Sequence, residues 1–134
     1  MNNFINTSEV IDTLALAEFD VDTESLKEVS SDSFVLAVSS KKFTIKRYYL
    51  IGELLYNNNI TVKVSTGSPN YTASVLIGYT EFPRYSDFTK DLEEVSYDTS
   101  NYKFLNALPV DVLLESNTLA IRDCHIEIEI GVSK

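Results

Sequence analysis

The chain holds little of what polar active sites are usually built from. It has one cysteine, Cys124, one histidine, His125, and no tryptophan. A single thiol forms no internal disulfide, which argues against a cross-linked secreted module and for a reducing site of synthesis. A four-ligand zinc site draws on several Cys and His, which are missing here. The glycines Gly52, Gly67, Gly78 and Gly131 stand apart, so no glycine-rich loop is available to cradle a phosphate. No apolar run approaches the length of a membrane span. Residues 1–18 lack a basic start and are interrupted by Asn6, Glu9 and Asp12, unlike a secretory leader. These absences predict a soluble protein made in the cytoplasm, with no metal and no cofactor.

Positive charge is also scarce. Twenty acidic side chains against 11 basic ones give a net charge of −9, which repels phosphate backbones and anionic membranes, so neither nucleic acid nor membrane is expected as a partner. The imbalance is uneven along the chain. Residues 1–40 carry eight acids against Lys27 alone, whereas residues 41–63 carry five bases against Glu53. Opposite patches of this kind attract each other within one molecule, order neighbouring copies in an assembly, or simply face water.

What is present is a strand pattern. A chain of 134 residues with 44% hydrophobic side chains suits one domain with its own core. In the closing run, Ile126, Ile128 and Ile130 alternate with Glu127 and Glu129, as strand side chains do and helix side chains do not. Earlier, Leu119 and Ile121 are apolar at odd positions while Cys124 and its successors are apolar at even ones. That slip predicts a β-bulge, or a crossing between sheets, at Arg122 and Asp123. Ile60, Val62 and Val64 alternate cleanly, and Gly67–Asn70 is the strongest turn signal, predicting a hairpin with a strand over residues 71–82 that Pro83 stops and Gly78 bulges or bends. Another hairpin is expected between residues 34–39 and the strand containing Phe43, Ile45 and Arg47. Residues 102–108 and 110–115 read as strands around Pro109.

Helical spacing occurs in two places. Ser86 precedes Phe88, Leu92 and Val95, and Ser8 precedes Val10, Ile11, Leu14 and Ala15; Ser25 with Glu28 resembles a capping box. The fold class expected is therefore mainly β: an antiparallel β-sandwich-like domain of about seven strands over residues 34–134, with one or two short helices. Residues 1–33 form an N-terminal arm or short helical segment packed on it.

Candidate chemistry is thin. Cys124 and His125 are adjacent, but on a strand their side chains point to opposite faces, out of reach of each other. Asp123, His125, Glu127 and Glu129 share a face, which suits a solvated stripe or a weak divalent-cation site. Asp20, Asp22 and Glu24 alternate like the opening of a calcium loop, yet Ser25 and Ser31 stand where an EF-hand needs glycine and glutamate. Glu93 and Glu94 diverge on the expected helix and make no glycosidase pair. Lys41, Lys42, Lys46 and Arg47 form the one basic cluster, followed by Tyr48 and Tyr49. Of the eight tyrosines, Tyr79, Tyr85 and Tyr102 lie near expected strand ends and are, with the basic cluster, the candidate partner contacts.

No catalytic residue is expected. The function this implies is that of a non-catalytic structural or assembly subunit, or a protein interaction module, forming a homo-oligomer or larger assembly. Ten Asn, ten Ile and a Lys excess over Arg accord with an AT-rich genome, and make incorporation in a virion, as a phage head, neck or tail component, the setting considered. The alternative is a carbohydrate-binding sandwich using loop tyrosines, with or without calcium.

Overall fold

The computed structural model describes residues 14–29, 36–39, 42–52, 59–88, 94–98, 107–118 and 120–133. Among them there are ten strands and no α-helix: β1 (Leu14–Asp20), β2 (Ser25–Glu28), β3 (Leu36–Ser39), β4 (Phe43–Gly52), β5 (Asn59–Ser65), β6 (Tyr71–Ile77), β7 (Glu94–Asp98), β8 (Leu108–Ser116), β9 (Ile121–His125) and β10 (Glu127–Ser133). A five-stranded sheet runs β2-β1-β4-β8-β6, a three-stranded sheet β10-β5-β7, and β3 pairs with β9. The ladders are antiparallel. The molecule is thus mainly β and sandwich-like, with ten strands rather than seven.

The core lies between sheets, where alternation places it. Tyr48 and Leu50 of β4, Val110, Val112 and Leu114 of β8 and Val75 of β6 meet Ile60, Val62 and Val64 of β5 and Ile130 of β10, all buried in one cluster. At about 25 cal/mol per Å2 of apolar surface, this burial is the main force holding the layers together.

The bulge expected at Arg122 and Asp123 is present. Ala37 faces Cys124 and Ser39 faces Ile121, so two residues of β9 oppose Val38 alone, which is what returns both Ile121 and Cys124 to the core. The Tyr71 hydroxyl sits at the opening: it donates to the Arg122 carbonyl (3.0 Å) and accepts from the Arg122 N–H (3.3 Å). Beyond Ile126 the chain leaves β3 and pairs with β5.

Both expected hairpins are corrected. The Gly67–Asn70 turn forms, with Gly67 at φ 65, but β5 pairs with β10 and β7 while β6 pairs with β8. The turn therefore carries the chain across the sandwich. Alternation fixes which face of a strand is buried and leaves its neighbour open, and two strands with fully apolar inner faces are as well satisfied facing each other as side by side. Likewise β3 pairs with β9, not with β4, whose partners are β1 and β8.

The helices are corrected too. Leu14 and Ala15 lie in β1 and Ser25–Glu28 forms β2; Asp20 shapes the turn between them, its Oδ1 accepting the N–H groups of Asp22 (2.9 Å) and Thr23 (3.4 Å). Residues 8–13 fall outside the described residues. Around Ser86 there is one 3-10 turn, Tyr85–Asp87, and Val95 belongs to β7, where Val95 and Tyr97 turn inward between exposed Glu94, Ser96 and Asp98. The helical spacing of Phe88 and Val95 is a coincidence of two separate elements. Pro109 lies inside β8, opposite Tyr49. Its carbonyl accepts from Gly78 (2.9 Å), so the N–H that proline lacks falls on the same side, at the end of the β6 ladder rather than in its middle. The expected strand over residues 102–108 is described only from Ala107 onward.

Strand β6 ends at Ile77 because Gly78 turns away at φ 82, and a Cβ there would overlap the Tyr97 ring. Gly78→Ala should lower the melting temperature, and Tyr97→Leu in that background should restore the part due to overlap while leaving the backbone cost, about 1 kcal/mol or more. A double-mutant cycle by thermal denaturation separates the two contributions. Tyr71→Phe should cost about 1 kcal/mol by freeing the bulge's backbone groups.

Candidate functional site

The second face of the five-stranded sheet carries a concentration of charge and aromatic side chains that the fold gathers from distant segments. Even positions of β4 and β8 face the core, so Phe43, Arg47 and Tyr49 share the other face with Asp111, Leu113 and Glu115. Asp111 is fully buried there. A buried carboxylate without a partner costs several kcal/mol, and Arg47, directly opposite in the ladder, supplies one: Nε to Oδ1 at 2.7 Å and Nη2 to Oδ2 at 2.9 Å. Burial pushes the Asp111 carboxyl up while Arg47 opposes it, and the hydrogen-bonded carboxylate holds the guanidinium more firmly protonated.

The same Arg47 Nη2 also donates to the carbonyls of Tyr79 (3.1 Å) and Glu81 (2.8 Å). Its guanidinium carbon lies 5.1 Å from the centroid of the Phe82 ring, a cation–π arrangement. Further along, the Tyr85 ring packs on Phe43 at 4.1 Å between centroids and its hydroxyl donates to Glu115 Oε2 (2.7 Å). Pro83 and Phe88 are buried. Residues 78–88 thus form a strap laid over this face, with its backbone held by Arg47 and its aromatic rings in fixed places.

The strap leaves large apolar side chains in solvent. Tyr79 is 41% exposed and Phe82 53%, and on the β1–β2 turn region Phe19 is 51% and Val21 77% exposed. Ala17 faces Tyr49 in the ladder, so Phe19, two residues on, lies on the face that carries Arg47. The Glu18–Lys46 ion pair (3.0 Å) keeps β1 and β4 side by side at that level.

Of the residues singled out from the sequence, Tyr79, Tyr85 and Arg47 fall on this region, in differing roles, while Lys46 projects from the other face of β4 with Tyr48. Tyr79 is exposed. Tyr85 is engaged with Glu115, Lys46 is paired with Glu18, and Arg47 is an internal clamp. Lys42 is exposed; Lys41 and Tyr102 lie outside the described residues. The acidic first segment and the basic second one therefore meet inside the molecule, at β1 and β4.

The remaining candidates do not converge. Cys124 is buried and His125 exposed, with the thiol directed at the His125 carbonyl (3.7 Å) and its pKa raised by burial. Asp20 is held by its turn and by Lys27 (2.6 Å), interactions that keep its pKa below the ordinary value, the Lys27 bond foremost. Glu127 and Glu129 are exposed on β10 and Glu94 on β7. No group of three His, Cys, Asp or Glu side chains suited to a metal occurs among the described residues, and no described helix is long and apolar enough to cross a membrane.

Sequence reasoning missed Asp111, Phe82, Phe19 and Val21. Asp111 carried a usable signal: it is the one charge in the run Leu108–Leu114, and a lone carboxylate in a strand of that kind demands a cation. Comparison with models of protein families, with curated proteins and with solved structures finds no match.

Arg47→Met should destabilise by about 3–5 kcal/mol, because Asp111 is left buried and unpaired. Adding Asp111→Leu should recover most of that stability but not the order of the strap, seen as faster amide exchange at residues 79–82. Tyr85 should ionise above the usual tyrosine range in an ultraviolet titration, since its bond to Glu115 raises the folded-state pKa. The stability this contributes is complete below the unfolded value of about 10 and is lost as pH rises through the folded value; Glu115→Gln should bring the titration down.

Proposed function

We propose that this protein is a non-catalytic assembly subunit or protein interaction module that docks through the strap face. The observation that carries the reading is the set of four large apolar side chains left in solvent, Phe19 on the Arg47 face of β1, Val21 on the turn that follows it, and Tyr79 and Phe82 on the strap. Two of them ride on a backbone that Arg47 fixes. Isolated exposed apolar residues are ordinary, whereas a group on a rigid support resembles the anchors of a docking surface, because little conformational freedom is lost when a partner covers them. The polar groups near them support binding rather than chemistry: the Arg47 and Asp111 atoms are occupied by one another and by backbone carbonyls. A phage-like head, neck or tail particle is the setting we propose, supported by a composition with ten Asn, ten Ile and more Lys than Arg. Of the loop tyrosines behind the carbohydrate reading, Tyr85 has its hydroxyl bound to Glu115 and Tyr79 is exposed.

Light scattering after size exclusion tests the reading. At high protein concentration, in about 1 M salt where the Debye length falls to about 3 Å and like charges are screened, the wild type should self-associate through this face. Phe82→Ser with Val21→Ser should abolish that while shifting the melting temperature by only a few degrees. A strict monomer under all these conditions, unchanged by the substitutions, overturns it.

A further inference from the structure

Granting the docking face proposed above, on which this step rests, its charge selects the occupant. The two segments that carry the apolar side chains, residues 18–28 and 79–87, hold seven carboxylates against Lys27 and Arg84. Lys27 is closed on Asp20 and Lys46 on Glu18. Asp22, Glu24 and Glu81 remain exposed beside Val21 and Phe82, with no ion pair among the described residues. Apolar anchors bordered by uncompensated carboxylates are complementary to a polypeptide with apolar side chains flanked by lysine or arginine.

We propose that the strap face binds a basic, amphipathic segment of a different protein. Its apolar side chains pack on Phe19, Val21, Tyr79 and Phe82, and its cationic ones reach Asp22, Glu24 and Glu81. A second copy of this chain is the weaker occupant, taken up only where protein is concentrated and salt screens its charge. Each copy carries −9, and a two-fold contact would set the same carboxylates against each other. Arg47 holds the strap in place before any partner arrives, so binding needs no remodelling of residues 79–82.

The test uses two labelled peptides, one of alternating Lys and Leu and one of alternating Glu and Leu, titrated with the full chain and followed by fluorescence anisotropy. The Lys–Leu peptide should bind about tenfold or more tightly than the Glu–Leu peptide in about 50 mM salt, and the advantage should shrink in about 500 mM salt. Phe82→Ser should weaken it about tenfold, and the triple variant Asp22→Asn, Glu24→Gln, Glu81→Gln about fivefold; thermal melts of both variants establish that they fold. Equal binding of the two peptides overturns the proposal. So does Lys–Leu binding that Phe82→Ser leaves untouched, which is general attraction to an acidic protein. Self-association lost in the Phe82→Ser, Val21→Ser variant but undisturbed by the Lys–Leu peptide shows a second copy on the face: the docking reading then stands and the basic partner falls.

Discussion

A carboxylate buried at the middle of the largest sheet is the constraint on which the outer half of this molecule depends. Asp111 has no exposure to water, and in that setting its charge is tolerable only against a cation of matching geometry. Arg47 provides the planar fork, and once its Nε and Nη2 are fixed on the carboxylate, the direction of the remaining Nη2 contacts is fixed too. Those contacts are the carbonyls of Tyr79 and Glu81. The strap thus lies where it does because a side chain of β4 must point at β8. An apolar pair in the same place would have packed with less desolvation, but it would have left two backbone carbonyls of the strap without these donors.

Charge segregation along the chain has a related explanation. β1, from the acidic opening of the sequence, lies beside β4, from the basic stretch that follows, and Glu18 meets Lys46 between them. With Lys46 paired and Arg47 drawn into the sheet, two of the four residues of the basic cluster are used within the fold. The acidic surplus is not. It remains on the β1–β2 turn, on the strap, and on β7 and β10, which is why the exposed apolar side chains stand in an anionic field.

The inner half of the fold was legible because strand periodicity reports burial directly. Ile60, Val62 and Val64 are buried as their alternation requires, and the slip between Ile121 and Cys124 marks a bulge found at the expected residues. Strand partners were not legible, since β5 and β6 have the same pattern whether they pair or face each other across the core. The helices failed for a different reason. Alanine at 15 and 17 favours a helix locally, but pairing on both sides with β2 and β4 outweighs that preference. The candidate site was half legible. Arg47 and Tyr79 stood out as a cation and a loop aromatic, yet their relation runs through Asp111 and a strap whose placement is purely tertiary. The missed hydroxyl of Tyr48 belongs to the same class: it is buried with no hydrogen-bond partner among the described residues, which no local pattern announces.

The two outer faces of the sandwich differ, and the difference gives the molecule a direction. On the three-stranded sheet, Lys63 of β5 lies between Glu129 of β10 and Glu94 of β7, with Thr61 beside Ser96. That face is an alternating, solvated surface of the sort that discourages strand-to-strand aggregation. On the five-stranded sheet the corresponding positions hold the Arg47–Asp111 ion pair with Tyr49 and Leu113 beside it. The strap covers them and in doing so brings Tyr79 and Phe82 to the surface. Covering that layer has therefore moved apolar surface outward, onto the strap's own exposed side. Under the docking reading proposed above, a module polar on one side and unfinished on the other binds in one orientation, the property an assembly subunit requires.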